Sequence, residues 1–353
     1  MRSNNYGLPR KVAAFFIAVV LLVGCTSGEE ETEQRYERFT YEFFGVFDTY
    51  ISILAFAECE DDFANFSRFV YSRMNELHQL YSIFNEYEGM NNIKTINDNA
   101  GESVVVCNDI FDLIEFAINW YHNTGGAFNI ALGPVTQVWR EYRERYQFAI
   151  DGQTNLPDME YLESLRHLTD IGGVVLNRAE MTVMLTEQGM SLDVGSVAKG
   201  FAVQRVIIEA RLLNFPVNHF LIDAGGHVRV FGTHQQRQSG LWHIEVLNPY
   251  DPNEPLETFR LPGGWSVDTS GNYQRYFVYE GNVLGHVISP FTLKPAQGFT
   301  SVTVVANNSA VADVLSTALN VVTHQAGIDM ARIRARNVVW LLPGGGTRFY
   351  PYF

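Results

Sequence analysis

The chain reads as a mixed α/β protein: mixed sheets flanked by helices, forming one catalytic body with two lobes. Two patterns predict this. Short runs rich in β-branched and aromatic residues recur along the chain, and stretches with apolar residues three and four apart alternate with them. Composition agrees. Of 353 residues, 46% are hydrophobic and 13% aromatic, ample for a sizeable core. No internal repeat and no Pro/Gly/Ser-rich linker divides the body.

Taken in order, the chain opens with Arg2, Arg10 and Lys11 ahead of an uncharged apolar run from Val12 to Val23. That run is too short to cross a bilayer, which needs about 20 residues, and suits the core of an export signal. It closes on Leu22-Val23-Gly24-Cys25, which resembles the lipobox of bacterial lipoproteins, where the cysteine is lipidated and becomes the first mature residue. The alternative is an ordinary signal, or a buried helix, with an incidental cysteine. The expectation is therefore a signal peptide over 1–24, lipidation (palmitate) at Cys25, and a Glu-rich polar tether over 25–38. The body over 39–353 would stand outside the cytoplasm, anchored to the cell membrane on its periplasmic or outer face. Removing Arg2, Arg10 and Lys11 takes the net charge from −14 to −17. So acidic a chain is a poor nucleic-acid binder, and three cysteines exclude a disulfide-dense scaffold or a four-thiolate zinc site. Cys59 and Cys107 could pair in an oxidising compartment, but are read as two unpaired, buried thiols.

Within the body, Phe47 to Phe56 predicts a strand, and Phe63, Phe66, Val70, Met74 and Leu77 keep helical spacing. Ser103 to Val106 predicts a strand. Asn108 is placed as the cap of a helix striped by Ile110, Leu113, Ile114, Ala117 and Ile118 and stopped at Thr124-Gly125-Gly126. Strands are predicted at Thr182 to Leu185 and Ser191 to Val194, then a helix from Val197 to Leu213. Further strands follow at 220–222, 228–231, 243–246, 276–279 and 300–305, a helix from Ser309 to Val322, and a last strand from Val338 to Leu342.

The common catalytic signatures are absent: no Gly-rich phosphate loop, no nucleophile elbow, no H-E-x-x-H and no C-x-x-C. Four local clusters remain. In Asp193-Val194-Gly195-Ser196-Val197-Ala198-Lys199-Gly200 a strand end meets a helix start, whose free N–H groups and Lys199 favour an anion. Read alone, it is equally a tight turn with a solvated lysine. Asp313 and Thr317 lie four apart on an otherwise apolar helix, two hard oxygen donors on one face that suit Mg²⁺. A hydrogen-bonded core aspartate would satisfy the same pattern. Asp268 to Tyr273 reads as a hydroxyl-rich turn, followed by His286-Val287-Ile288-Ser289-Pro290. Thr124 to Pro134 sets small residues beside Phe128, room for a flat ligand or merely a loop.

In their order along the chain these segments resemble the ApbE family of flavin transferases. The resemblance runs from about Phe44 to Val322, through Phe47-Asp48-Thr49, Asn92 to Asn97, Thr124 to Pro134 with Trp139, Leu192 to Ala202, Ala224-Gly225-Gly226, Thr269-Ser270-Gly271, His286 to Pro290 and Ala312 to Thr317. It implies an ApbE-like fold that binds FAD with Mg²⁺, moves FMN onto a Thr or Ser hydroxyl of a partner protein and releases AMP. Asp313 and Thr317 would hold the metal with backbone oxygen near Ser196. Lys199 and Asp193 would contact FAD, and Tyr87 would lie against the flavin. Gly126, Ala127, Phe128 and Asn129 would line the site, and Phe47, Thr49, Ser270 and Val287 fall in the other matched segments taken as FAD-binding. His286 would be catalytic or touch the nucleotide. It, or a nearby carboxylate, would take the acceptor's proton. Departures from the family pattern are Phe47-Asp48 for Met-Gly, Asn129 for Asp, Gly225-Gly226-His227 for Gly-Gly-Asp, and Leu293 for Gly in the turn after Pro290. Two other activities fit the same residues: hydrolysis of FAD to FMN and AMP, and flavin binding without catalysis.

Overall fold

A computed structural model describes residues 36–149 and 152–351. The signal segment, Cys25 and most of the tether lie outside the described residues. The tether reading ends too late, because the first strand already begins at Glu37.

The chain starts with a hairpin, β1 (Glu37–Val46) and β2 (Thr49–Ala57), turned by Phe47 and Asp48. Both turn residues have positive φ, 55° and 50°, the left-handed backbone a two-residue hairpin demands. Helix α1 (Glu60–Tyr81) follows, with Glu60, Asp61 and Asp62 in its first turn complementing the dipole and the predicted apolar stripe buried. Asn92 caps α2 (Ile93–Asp98) through a reciprocal bond with Thr95. After β3 (Ser103–Val105), helix α3 (Asn108–Asn123) begins one residue earlier than a cap at Asn108 requires; the cap position is Cys107.

A turn at Thr124–Gly126 and a 3₁₀ turn at Ile130–Leu132 lead into α4 (Gly133–Tyr146), and α5 (Met159–Ser164) comes next. Strands β4 (Val174–Asn177) and β5 (Thr182–Leu185) join β3 in a small sheet of order β3-β5-β4. The strand predicted over Ser191 to Val194 is not one. That segment runs as a single line, tied by Leu192 N–H to Asn97 Oδ1 at 2.7 Å and Asp193 N–H to Ile130 O at 2.8 Å. Helix α6 (Ala198–Leu212) precedes β6 (His219–Ala224) and β7 (Val228–Phe231), then the hairpin β8 (Trp242–Val246) and β9 (Glu257–Leu261). The hydroxyl-rich stretch taken for a turn at 268–271 belongs instead to a strand, β10 (Ser266–Gly271). The chain finishes with the hairpin β11 (Tyr276–Tyr279) and β12 (Asn282–Gly285), then β13 (Ser301–Ala306), α7 (Ser309–Val321), α8 (His324–Ala331), β14 (Ala335–Leu341) and β15 (Thr347–Tyr350).

The organising element is an eight-stranded sheet of order β1-β2-β6-β7-β10-β13-β14-β15. Among the described residues the strand pairings are antiparallel, so the α/β class holds while the sheets are not of mixed direction. Both faces of its centre are buried, and the period of two sorts the side chains. Ala55, Val304 and Val338 pack into a large core with α1, α6 and α7; Phe56, Val305 and Val339 pack into a second core under β8 and β9. A third cluster joins α4 and α5 to the β11–β12 hairpin through Trp139, Leu162 and Phe277. Cys59 and Cys107 are free, as read, but exposed rather than buried, since both stand at helix N-termini. No helix among the described residues is long and apolar enough to cross a membrane.

Candidate active site

A cleft of about 320 Å³ opens where α6, α7 and β10 meet the β1–β2 turn, α4 and the segment after β12. Its floor is acidic. Val267 turns into the second core, so its neighbour Asp268 faces the opposite side of β10, toward α7. Asp313 sits on α7 and accepts the Gly200 N–H at 2.9 Å. This contact requires glycine: a Cβ on residue 200 would lie 2.5 Å from Ser309 O and 2.6 Å from Asp313 Cβ. His227 arrives from the β6–β7 turn, where Gly225 has φ +66° and a Cβ would fall 2.0 Å from Thr49 Oγ1. His227 Nδ1 lies 2.6 Å from Asp268 Oδ1 and 3.7 Å from Asp313 Oδ2.

The three ligand atoms are within 4.8 Å of one another and all three residues are buried. His227 Nδ1 and Asp268 Oδ1 have no aligned hydrogen-bond partner. Burial, more than any neighbour, raises Asp268 to about 7 and Asp313 to about 6, and lowers His227 to about 4. Two carboxyls and an imidazole kept from water with orphaned atoms fit a divalent cation, which would supply the missing charge. Hydroxyls surround the group. Ser316 Oγ lies 2.7 Å from Ser270 Oγ and 3.3 Å from Asp268 Oδ2, and Thr317 Oγ1 is 3.3 Å from Ser270 Oγ.

The cleft also carries cations, and the charge of Lys199 acts on all three residues of the floor. Lys199 in the first turn of α6 shares the cleft with Arg140 and Arg143 of α4 and with Arg275. Burial, then Arg140 and Arg275, lower Arg143, the mark of cations crowded together. His286 is half-buried beside them; desolvation first, then Arg143, Arg275 and Lys199, push it down to about 4. Its ring is therefore neutral near pH 7, and its Nδ1 has no hydrogen-bond partner.

The cleft is lined by Phe47, Thr49, Ala127, Asn129, Asp193, Ser196, Lys199, Ser270, His286, Val287, Asp313 and Thr317. Tyr87, Gly126 and Phe128 are not part of the lining. Tyr87 bridges Met90 outside it, Gly126 supplies a positive-φ turn, and Phe128 fills the large core. Phe84, three residues before Tyr87, is the aromatic that lines the cleft, with the Arg140 guanidinium 4.7 Å from its ring centre. Asp193 is already engaged, by Arg140 at 2.7 Å and Thr136 Oγ1 at 2.9 Å. Asn129 uses both ends of its amide, donating to Thr169 O across the fold and accepting the Ala131 N–H of its own turn.

Sequence reading missed His227, seen only as a departure, and the role of Asp268, mistaken for a turn residue. It also missed the arginines; their one signal was the three-residue spacing of Arg140 and Arg143 beside Trp139.

Comparison with known proteins adds a family. The ApbE family model matches residues 47–341. The FAD:protein FMN transferase of Klebsiella pneumoniae is 31% identical over 229 residues, 64% of this chain and 67% of that protein. The protein of the same name from Treponema pallidum is 29% identical over 253 residues, 68% of this chain and 67% of that one. The crystal structure of the ApbE protein of Thermotoga maritima superposes with a TM-score of 0.76 at 26% identity, covering 88% of this chain and 96% of that one.

Proposed function

The chain belongs to the ApbE family, and on that premise we propose that it transfers FMN from FAD to a Thr or Ser hydroxyl of a partner protein, releasing AMP. The observation that carries this reading is one cleft lined by His227 and Asp313, with Asp268 buried against them, and by Lys199, Arg143 and Arg275. A pyrophosphate needs its charge neutralised on both sides. Lys199, Arg143 and Arg275 would take phosphate oxygens. Asp268, Asp313 and Thr317 would hold Mg²⁺ or a related ion, which when bound polarises the phosphoryl group.

The acceptor's hydroxyl oxygen forms the new bond to the FMN phosphorus, the bond to the AMP oxygen breaks, and AMP departs. Neutral His286 receives the hydroxyl proton on its ring. No internal nucleophile is needed, since the partner brings it. Phe47, Val287 and Phe84 offer apolar surface for the flat ring system. The further proposal is that Cys25 carries the lipid, so that the body works outside the cytoplasm at the membrane surface.

The test incubates the full chain with FAD, Mg²⁺ and a candidate acceptor domain, then looks for covalent flavin fluorescence on a denaturing gel. A fluorescent acceptor supports transfer. FMN and AMP without one mean hydrolysis, and unchanged FAD means binding alone; either result sinks the transfer reading. For the anchor, labelled palmitate should enter the wild-type chain in cells and be absent from Cys25→Ser; equal labelling would refute it.

A further inference from the structure

The residue that follows the Gly225-Gly226 pair is His227. Resting on the metal-assisted reading above, we infer that His227 is a ligand, making the centre a mixed nitrogen–oxygen site that takes first-row transition ions, Mn²⁺ among them, in preference to Mg²⁺.

Three observations lead there. The turn that carries the ring is held in place. It is closed by the Ala224 N–H bonded to His227 O at 3.2 Å and the Gly226 N–H bonded to Asp223 Oδ1 at 2.7 Å, and His227 is 7% exposed. Its Nδ1 points at both carboxylates, 2.6 Å from one and 3.7 Å from the other, and has no aligned hydrogen bond to occupy it. Oxygen and nitrogen atoms within 4.8 Å of one another can share a single ion. Two carboxylates and a neutral imidazole also match a dication's charge.

The donor set then decides the ion. Mg²⁺ demands hard oxygen ligands in near-ideal octahedral geometry and parts with water reluctantly. Imidazole suits transition ions, and affinity at such sites rises from Mn²⁺ along the first row. An oxygen-only site would serve Mg²⁺ well; replacing one oxygen donor by nitrogen favours the softer ion. Asp268, Asp313 and Thr317 remain as oxygen donors, so phosphate and water can complete the shell.

The experiment strips the full chain in detergent with a chelator, then loads Mn²⁺ alone and records pulsed electron paramagnetic resonance. The expected result is ¹⁴N modulation from a directly bound imidazole, converted to the ¹⁵N pattern on ¹⁵N-histidine labelling and lost in His227→Asp. In competition titrations, His227→Asp should narrow the Mn²⁺-over-Mg²⁺ preference by about tenfold to a hundredfold. Bound Mn²⁺ without nitrogen modulation in the wild type would overturn the inference, leaving His227 as a partner of Asp268 only. The isotope measurement needs no variant, so a His227→Asp chain that fails to fold does not block it. Covalent flavin transfer measured on the same preparation separates the two readings. Transfer without nitrogen modulation sinks only the ligand assignment, and modulation without transfer sinks only the transferase reading.

Discussion

Asp268 and Asp313 are carboxyls that their surroundings work against. Burial holds them at about 7 and about 6, against 3.8 for a free side chain. Between those values the folded chain binds more protons than the unfolded one. Their contribution to stability is complete below about pH 3.8 and is lost as pH rises through 6 to 7. His227 and His286 act in the opposite sense, losing stability as pH falls from 6.5 toward about 4. The comparison that isolates the carboxyls is therefore wild type against Asp268→Asn, both chelator-treated. The melting temperature of the wild type should fall relative to the variant between pH 5 and 8, and a saturating divalent ion should abolish that difference. A parallel pair of melting curves would show the carboxyls are not strained by burial. In transfer assays Asp313→Asn should lose about a hundredfold to a thousandfold in rate while keeping FAD binding. Of these residues, Asp313 and Thr317 were legible because four-residue spacing on a helix is a local fact. His227 and Asp268 were not, because what makes them a site is their meeting across three elements.

At the scale of elements, the floor depends on how closely α6 and α7 approach. Gly200 lets them touch, and Asn308 starts α7 by accepting the Val311 N–H at 3.2 Å. Gly200→Ala should cost about 1–3 kcal/mol in urea unfolding and weaken metal binding, because the new methyl meets the Ser309 carbonyl and Asp313 Cβ. Wild-type stability and metal affinity in that variant would show that the helices can separate freely. Helices α1 and α3, with a one-sided apolar stripe, were readable from periodicity, and α7 from its nearly continuous apolar sequence. Strand β10 was not: Asp-Thr-Ser-Gly carries turn chemistry locally, and only pairing with β7 and β13 makes it a strand. Ser191 to Val194 failed the other way, its composition suiting a strand for which the fold provides no partner. Helix α4 went unseen because its exposed side is dense with charge around a short buried face.

Over the whole molecule the charge is strongly negative, −14 for the full sequence, so an anionic ligand must find its cations in one place. The structure gathers Lys199, Arg140, Arg143 and Arg275 at the cleft. Arg143→Ala should weaken FAD binding by about tenfold, and wild-type affinity should fall with added salt more steeply than that of the variant. Identical salt dependence would place the phosphates elsewhere. Composition, the helical stripes and the order of short motifs were enough to determine an α/β body, its family resemblance, and the Asp313/Thr317 and Lys199 segments, because each depends on residues near one another in the chain. Only the tertiary structure decided that His227 and Asp268 share a centre with Asp313, that Phe84 rather than Tyr87 lines the cleft, and that three arginines line it too. Those are distances between segments far apart in sequence, and they exist only once the sheet and its two cores bring the segments together.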